Sequence, residues 1–254
     1  MGILNVTPDS FADGGRHNEF EAAVARGIEM IAEGVDIIDV GGESTRPGAE
    51  RVSEEEEIAR TIPVIAELAK HGATISIDTM RASTAEAAIK AGAAIINDVS
   101  GGLADDAMLQ TAARLKVPYI AMHWRGQSKD MNSKAIYGDV VNDVIAELNE
   151  RIEAALDAGI QKDKLIIDPG IGFAKDAEHN WAIIDAIDRF VELGYPVLVG
   201  ASRKRFLGGD TPDEREQATI DLTKRLGTTG VWAVRVHSVK PPKEVLSSGR
   251  IKLF

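Results

Sequence analysis

The chain has no cysteine among its 254 residues, so no disulfide braces the fold and no thiolate serves as nucleophile or metal ligand. That absence does not by itself fix a compartment. Basic charge is also short. Against 40 Asp and Glu stand 29 Lys and Arg, a formal net charge of −11, which argues against sequence-independent binding to nucleic acid or anionic lipid. An anionic ligand therefore has to be met by a local cation cluster working against the global field. No apolar run approaches the ~20 residues of a membrane helix, and the first residues lack a secretory signal pattern. The expectation is a soluble, cytoplasmic protein with neither a nucleic-acid nor a membrane partner. Hydrophobic residues make up 44%, ample for a large interior.

What the chain does have is alternation. Short apolar runs suited to strands buried on both faces recur between longer stretches with helical spacing. The runs are Gly2 to Val6, Val35 to Val40, Thr74 to Ile77, Ala94 to Ile96, Val117 to Met122, Leu165 to Ile167, Pro196 to Val199 and Val231 to Val236. Helices are expected between them, among them Val140 to Ala158, Trp181 to Leu193 and about Glu214 to Leu226. Asn18 with Glu21, and Ser53 with Glu56, have capping-box spacing. Pro63 is expected to kink its helix. Eight strand–helix alternations without a break in composition predict a single domain over residues 1–254, an α/β fold of the TIM (β/α)8 barrel type. A doubly wound open sheet fits less well, because no G-x-G-x-x-G follows the first strand. The first strand starts at once, and after the eighth only Pro241 to Phe254 remain. The lead-in and the last helix are therefore expected to be shortened.

In such a barrel the loops after the strands meet on one rim, where active sites form. The strand ends here carry Asn5, Gly41-Gly42, Asp78, Asn97, His123, Asp168, Lys204, Arg235 and His237. Each alone has a plainer explanation. Asp78 can cap a helix, Asn97 serve a turn, His123 be a satisfied core histidine, and Arg203-Lys204-Arg205 a solvated helix start. Their recurrence at the same end of successive strands is what no packing rule requires. Asp78, Asn97 and Asp168 offer acceptors and an amide, suited to a flat heterocycle rich in N–H donors. Asn5, Arg235 and His237, from the first and last strands, form a cationic and amide patch suited to phosphate. A pterin or purine ring on a phosphorylated arm would satisfy both.

The stretches GILNVTPDSF at 2–11, DVGGESTRPG at 39–48, SIDT at 76–79, INDVSGG at 96–102, IDPGIGFAK at 167–175, GASRKRF at 200–206 and RVH at 235–237 resemble the dihydropteroate synthase family, in order and over nearly the whole chain. The resemblance implies a TIM barrel that couples 6-hydroxymethyl-7,8-dihydropterin diphosphate with p-aminobenzoate, releasing pyrophosphate in folate synthesis. It implies that Asp78, Asn97, Asp168 and Lys204 hold the pterin beside Met122. Arg235 would stack on the pterin and, with His237 and Asn5, bind the diphosphate, Asn5 being the Mg2+ contact. Asp13 with Phe11 on the first loop, and Thr45, Arg46 and Pro47 on the second, would close over the site. Phe173 and Pro47 would flank the p-aminobenzoate ring, with Arg205 near it. His123 would shape the pocket. The family's final helices imply a homodimer.

Three departures bear on these expectations. Arg205 stands at a position that varies in the family. Ser238 replaces the usual Asp after RVH, so His237 is expected to lack an orienting carboxylate. The short tail makes the dimer less secure. Two other readings are methyltetrahydrofolate-binding methyltransferase barrels, which share an Asp/Asn pterin pocket, and a catalytically silent pterin-binding paralogue. GGESTRPG and SRKRF argue against the first, and intact loops against the second.

Overall fold

The structure, a computed structural model, describes residues 1–7, 15–43, 51–127 and 131–246, without the side chains of 15–18 and 132. Its strands are β1 (Gly2–Asn5), β2 (Ile38–Gly41), β3 (Ile75–Asp78), β4 (Ile95–Asp98), β5 (Tyr119–Met122), β6 (Leu165–Asp168), β7 (Leu198–Val199) and β8 (Ala233–Val234). The helices between them are α1 (Gly15–Ala32), α2 (Glu54–Lys70), α3 (Ala82–Ala91), α4 (Met108–Leu115), α5 (Val140–Asp157), α6 (Ala177–Asp185), α7 (Ile187–Val191) and α8 (Glu216–Leu226), with α9 (Lys240–Val245) after β8. Strands β1 to β6 pair in parallel in sequence order, and β7 pairs with β8. Single parallel bridges, Ile167 with Val197 and Gly2 with Val236, join the two sets on either side. Hydrogen bonds at the second seam run from Ile3 N–H to Val236 O and from Val236 N–H to Met1 O, both 2.9 Å. The ring is closed, as the alternation predicts.

Strand alternation sorts the interior into two compartments. Met1, Ile37, Ile95, Ile120, Ile166, Leu198 and Ala233 form one apolar cluster. They plug the lumen below the strand ends. Residues of the other parity, such as Ile38, Val40, Ile77, Ile96, Leu165 and Val199, join the helices in a larger core. Burying one such aliphatic side chain contributes roughly 1.5–3 kcal/mol. With the lumen floor already filled by hydrocarbon, any polar side chain of lumen parity is collected in the upper layer. Among the described residues, no helix is long and apolar enough to cross a membrane.

Several expected details differ. Helix α1 is already formed at Gly15, so Asn18 lies inside it and cannot be its N-cap. Ser53 does cap α2, its Oγ accepting from Glu56 N–H at 3.2 Å. That helix runs through Pro63 as one element. The helix expected over Trp181 to Leu193 begins at Ala177 and breaks at Ala186. Its start is fixed by a capping box between Asp176 and His179, which replaces the usual Glu or Gln. Strands β7 and β8 keep only two residues each, because they meet the large sheet at isolated bridges. The last helix is short, as expected, with six residues.

Candidate functional site

Register places the candidate residues at one height. The Cα of Asn5 pairs with Gly41, Gly41 with Asp78, Asp78 with Asn97, and Met122 with Asp168. These positions share the parity of the lumen cluster, so their side chains point inward above the apolar plug. Asp78, Asn97, Met122 and Asp168 are all buried, and Arg235 and Asn5 half-buried. A Cβ on Gly200 would stand 3.8 Å from Arg235 Cβ and 3.9 Å from Asp168 Oδ2, so the missing side chain keeps the gap between them open.

Arg235 is the centre of the polar layer. Its Nε donates to Asp39 Oδ2 and its second terminal nitrogen to Asp78 Oδ2, each at 2.6 Å. The same Asp39 oxygen accepts from Asn97 Nδ2 at 3.0 Å. Asp39 is wholly buried, and its Oδ1 has no hydrogen-bond partner among the described residues. Burial works against the charge on Arg235, but Asp39 and Asp78 more than offset it and hold the guanidinium above its ordinary pKa. Burial pushes the Asp78 carboxyl up, with Arg235 opposing and Asp39 adding to the rise. Asp39 is the residue that the strand-end criterion misses, since it lies two positions before the end of β2. The available signal is an acid inside the apolar run VDIIDV, which costs heavily unless partnered.

On the far side, Asp168 Oδ1 accepts from Gly170 N–H at 2.7 Å, leaving Oδ2 directed elsewhere. Burial raises its pKa, opposed by that hydrogen bond and then by Lys204, Arg235 and Lys175. Lys204 donates to Ile171 O, and its Nζ lies 4.4 Å from the centre of the Phe173 ring. Burial lowers the Lys204 pKa to about 8, although Asp168 opposes the drop. A Cβ at Gly172 would come within 2.6 Å of Lys204 Cδ, so only glycine leaves room for this lysine. Met122 joins Met80 and Val99 in an apolar wall, with Trp124 and Phe173 packed on it. Carboxylates and an amide with an apolar wall beside them suit a planar, polar ring.

His123 is buried at the end of β5 and points to Glu147, Nε2 to Oε2 at 2.9 Å. Burial and Lys175 depress its pKa to about 4, so it is neutral at physiological pH. His237 is oriented by a hydroxyl: Nδ1 lies 3.1 Å from Ser202 Oγ, which also accepts from His237 N–H at 3.2 Å. Ser238 instead accepts from Arg203 at 2.9 Å. Arg205 is exposed at the head of a short 3-10 turn, Arg205–Leu207, and is not drawn into the lumen set.

Phe11, Asp13, Thr45, Arg46 and Pro47 lie outside the described residues. The second loop's flanks are held by Arg81, which was not singled out in the sequence. It donates to Glu43 Oε2 at 2.9 Å, to Val52 O at 2.5 Å, and to the buried Glu57. Among the described residues no cluster of three His, Asp or Glu could chelate a metal ion.

Residues 1–237 match the family model described as "Pterin binding enzyme". A curated relative, dihydropteroate synthase of Mycobacterium leprae, is 47% identical over 256 residues, covering 97% of this chain and 90% of the relative. Among solved structures, Xanthomonas albilineans dihydropteroate synthase with 4-aminobenzoic acid superposes with a TM-score of 0.91 at 44% identity, covering 97% of this chain and 90% of the other. The same enzyme in complex with 7,8-dihydropteroate gives 0.88 at 40% identity, with the same coverage.

Proposed function

Since the chain belongs to the dihydropteroate synthase family of pterin-binding enzymes, we infer that it condenses 6-hydroxymethyl-7,8-dihydropterin diphosphate with p-aminobenzoate to give 7,8-dihydropteroate and pyrophosphate. The observation that carries this is the buried lumen layer in which Asp39 and Asp78 accept from Arg235 and Asn97 donates to Asp39, with Asp168 and Lys204 opposite. Such a layer is costly to bury, and the packing of the barrel does not require it. It is explained by a ligand.

In this reading Asp168, Asn97 and Asp78 accept from the N–H edge of the pterin, and Lys204 donates to its carbonyl side. Arg235 lies between the acids and the mouth of the barrel, where it stacks on the ring and faces the diphosphate. Asn5 and His237, on the flanking ends of β1 and β8, complete the phosphate side. The C–O bond to the diphosphate breaks, the dihydropterin delocalises the resulting methylene cation, and the aniline nitrogen forms the new C–N bond and loses a proton. No side-chain nucleophile is required. The aniline is nucleophilic near neutral pH, so no strong general base is needed either. What remains for the protein is positioning, charge neutralisation and exclusion of water from the cation.

Mg2+ commonly keeps several waters and takes its other ligands from substrate phosphate, so a single protein oxygen suffices. The Asn5 amide oxygen, inward-facing at the rim, fits that donor requirement. When bound there, Mg2+ would neutralise charge on the leaving diphosphate. The continuous barrel from β1 to β8 supports one domain. The net charge of −11 supports small-molecule partners over nucleic acid or anionic membrane. The family resemblance supports a homodimer in the cytoplasm, and sedimentation at micromolar concentration checks the former.

Incubation with the pterin diphosphate, Mg2+ and labelled p-aminobenzoate is expected to yield labelled dihydropteroate and one pyrophosphate per product. Absence of product from folded protein would overturn the reading.

A further inference from the structure

The loop after β6 is held by side chains from three other parts of the chain, Lys204, Tyr137 and Asn180, and by one lysine of its own. Between Asp168 and α6 the backbone takes left-handed conformations at Gly170 (φ 69°), Gly172 (φ 78°) and Ala174 (φ 48°). The alternation turns successive carbonyls in different directions. Ile171 O faces Lys204, and Ala174 O accepts from Tyr137 OH at 2.9 Å. Gly172 N–H donates to Asn180 Oδ1 at 2.6 Å. The carbonyls of Gly170 and Phe173 instead converge on the buried Lys175, whose Nζ lies 3.1 and 3.0 Å away. Its third contact is His123 Nδ1 at 2.9 Å.

A lysine ammonium has three protons and accepts nothing. All three are used here, which requires His123 Nδ1 to carry the lone pair and its Nε2–H to point at Glu147. Phe173 N–H also donates to Gly170 O at 3.0 Å, so the ammonium reinforces a turn that the backbone already closes and ties Phe173 O and His123 to it. We propose that Lys175 is a positioning residue for the p-aminobenzoate side of the site, holding the carbonyls of Gly170 and Phe173 so that the Phe173 ring faces the incoming aniline. This rests on the synthase reading given above, and goes beyond it by naming a residue that touches neither substrate.

The charged and titratable groups around Lys175 are His123 just after β5, Arg125 and Tyr137 from the following segment, Glu147 from α5, Asp168 from β6 and Lys204 after β7. Burial lowers the Lys175 pKa from 10.5 to about 7, with Asp168 opposing the drop and Lys204 and Arg125 adding to it. Below that pH the three-donor ammonium is intact. Above it an amine with two protons cannot serve three acceptors.

The test is steady-state kinetics of wild type, Lys175→Met and Lys175→Gln, with circular dichroism to check folding. The Met substitution is expected to raise KM for p-aminobenzoate about tenfold while KM for the pterin diphosphate and kcat move less than about threefold. The Gln substitution keeps two donors in a neutral group, and is expected to recover much of the loss. For wild type, KM for p-aminobenzoate should climb as pH passes about 7. For Lys175→Gln that dependence should be flat. A folded Met variant with unchanged KM for p-aminobenzoate, or with both substrates weakened equally, overturns the inference. If the Met variant does not fold, a break persisting in the Gln variant overturns it. A wild type that makes no dihydropteroate removes the synthase reading and this inference together, whereas an active wild type beside an unmoved variant removes the inference alone.

Discussion

Asp39→Asn is the substitution that best separates a ligand-ordering layer from ordinary core. The carboxylate is wholly buried and one of its oxygens takes both Arg235 Nε and Asn97 Nδ2. The amide keeps the volume but removes the charge, and it leaves Arg235 with Asp78 alone. A charge-assisted hydrogen bond of this kind is worth about 1.5–3 kcal/mol, so a loss of about 2 kcal/mol is expected. In a chain of this length that lowers Tm by roughly 4–8 °C. Freed on one side, Arg235 and Asn97 are no longer held in register with the pterin, and a tenfold loss of affinity corresponds to about 1.4 kcal/mol. Scanning calorimetry reads the first effect, and titration calorimetry with a pterin ligand, in the absence of p-aminobenzoate, reads the second. If the Asp39→Asn protein melted and bound pterin like the wild type, the assignment of Asp39 as the organiser of Arg235 and Asn97 would be wrong.

Three further outcomes are expected. Asp98 is as buried as Asp39 but of the opposite parity, and its oxygens accept from Ser100 N–H and Oγ, Gly102 N–H and Tyr119 OH. Asp98→Asn should therefore lower Tm while leaving pterin affinity unchanged in the folded protein, as the same two calorimetries report. Asp168→Asn should nearly abolish pterin binding, and an unchanged affinity would remove that residue from the site. For His123, burial lowers the pKa from 6.5 to about 4. The unfolded chain takes up this proton first, so stability present above pH 6.5 is lost as pH falls through about 4. The interval is worth roughly 3 kcal/mol. Denaturant midpoints between pH 7 and 4 should show the decline, and His123→Gln should flatten it.

Much of this architecture is legible in the amino-acid order because it depends on local pattern. The apolar runs mark all eight strands, and the polar residues that end several of them, Asn5, Asp78, Asn97 and Asp168, mark the rim, since a strand-end side chain of lumen parity has nowhere else to go. What escapes is what depends on distant partners. Asp39 sits within a strand, where its role is set by Arg235 nearly two hundred positions away. Lys175 reads as the tail of a glycine-rich loop, and only the folded loop shows two carbonyls and a histidine meeting at its ammonium. Arg81 reads as a surface cation, yet it ties together the two flanks of the second loop. The break at Ala186 left no mark because alanine is a strong helix former and the interruption is imposed by packing. Cap sites fared unevenly for a similar reason. Ser53 uses the common pattern, whereas His179 takes a part seldom given to histidine.

The two isolated bridges divide the barrel wall into a broad slab of six strands and a narrow slat of two. Most of the acids are fixed to the slab, while Lys204, Arg235 and His237 ride on the slat. The guanidinium that reaches from β8 across to Asp39 and Asp78 therefore acts as a rivet over the weaker joint. Amide exchange should be fastest along that slat when Arg235 is removed, because one side chain both fastens the wall and faces the reaction.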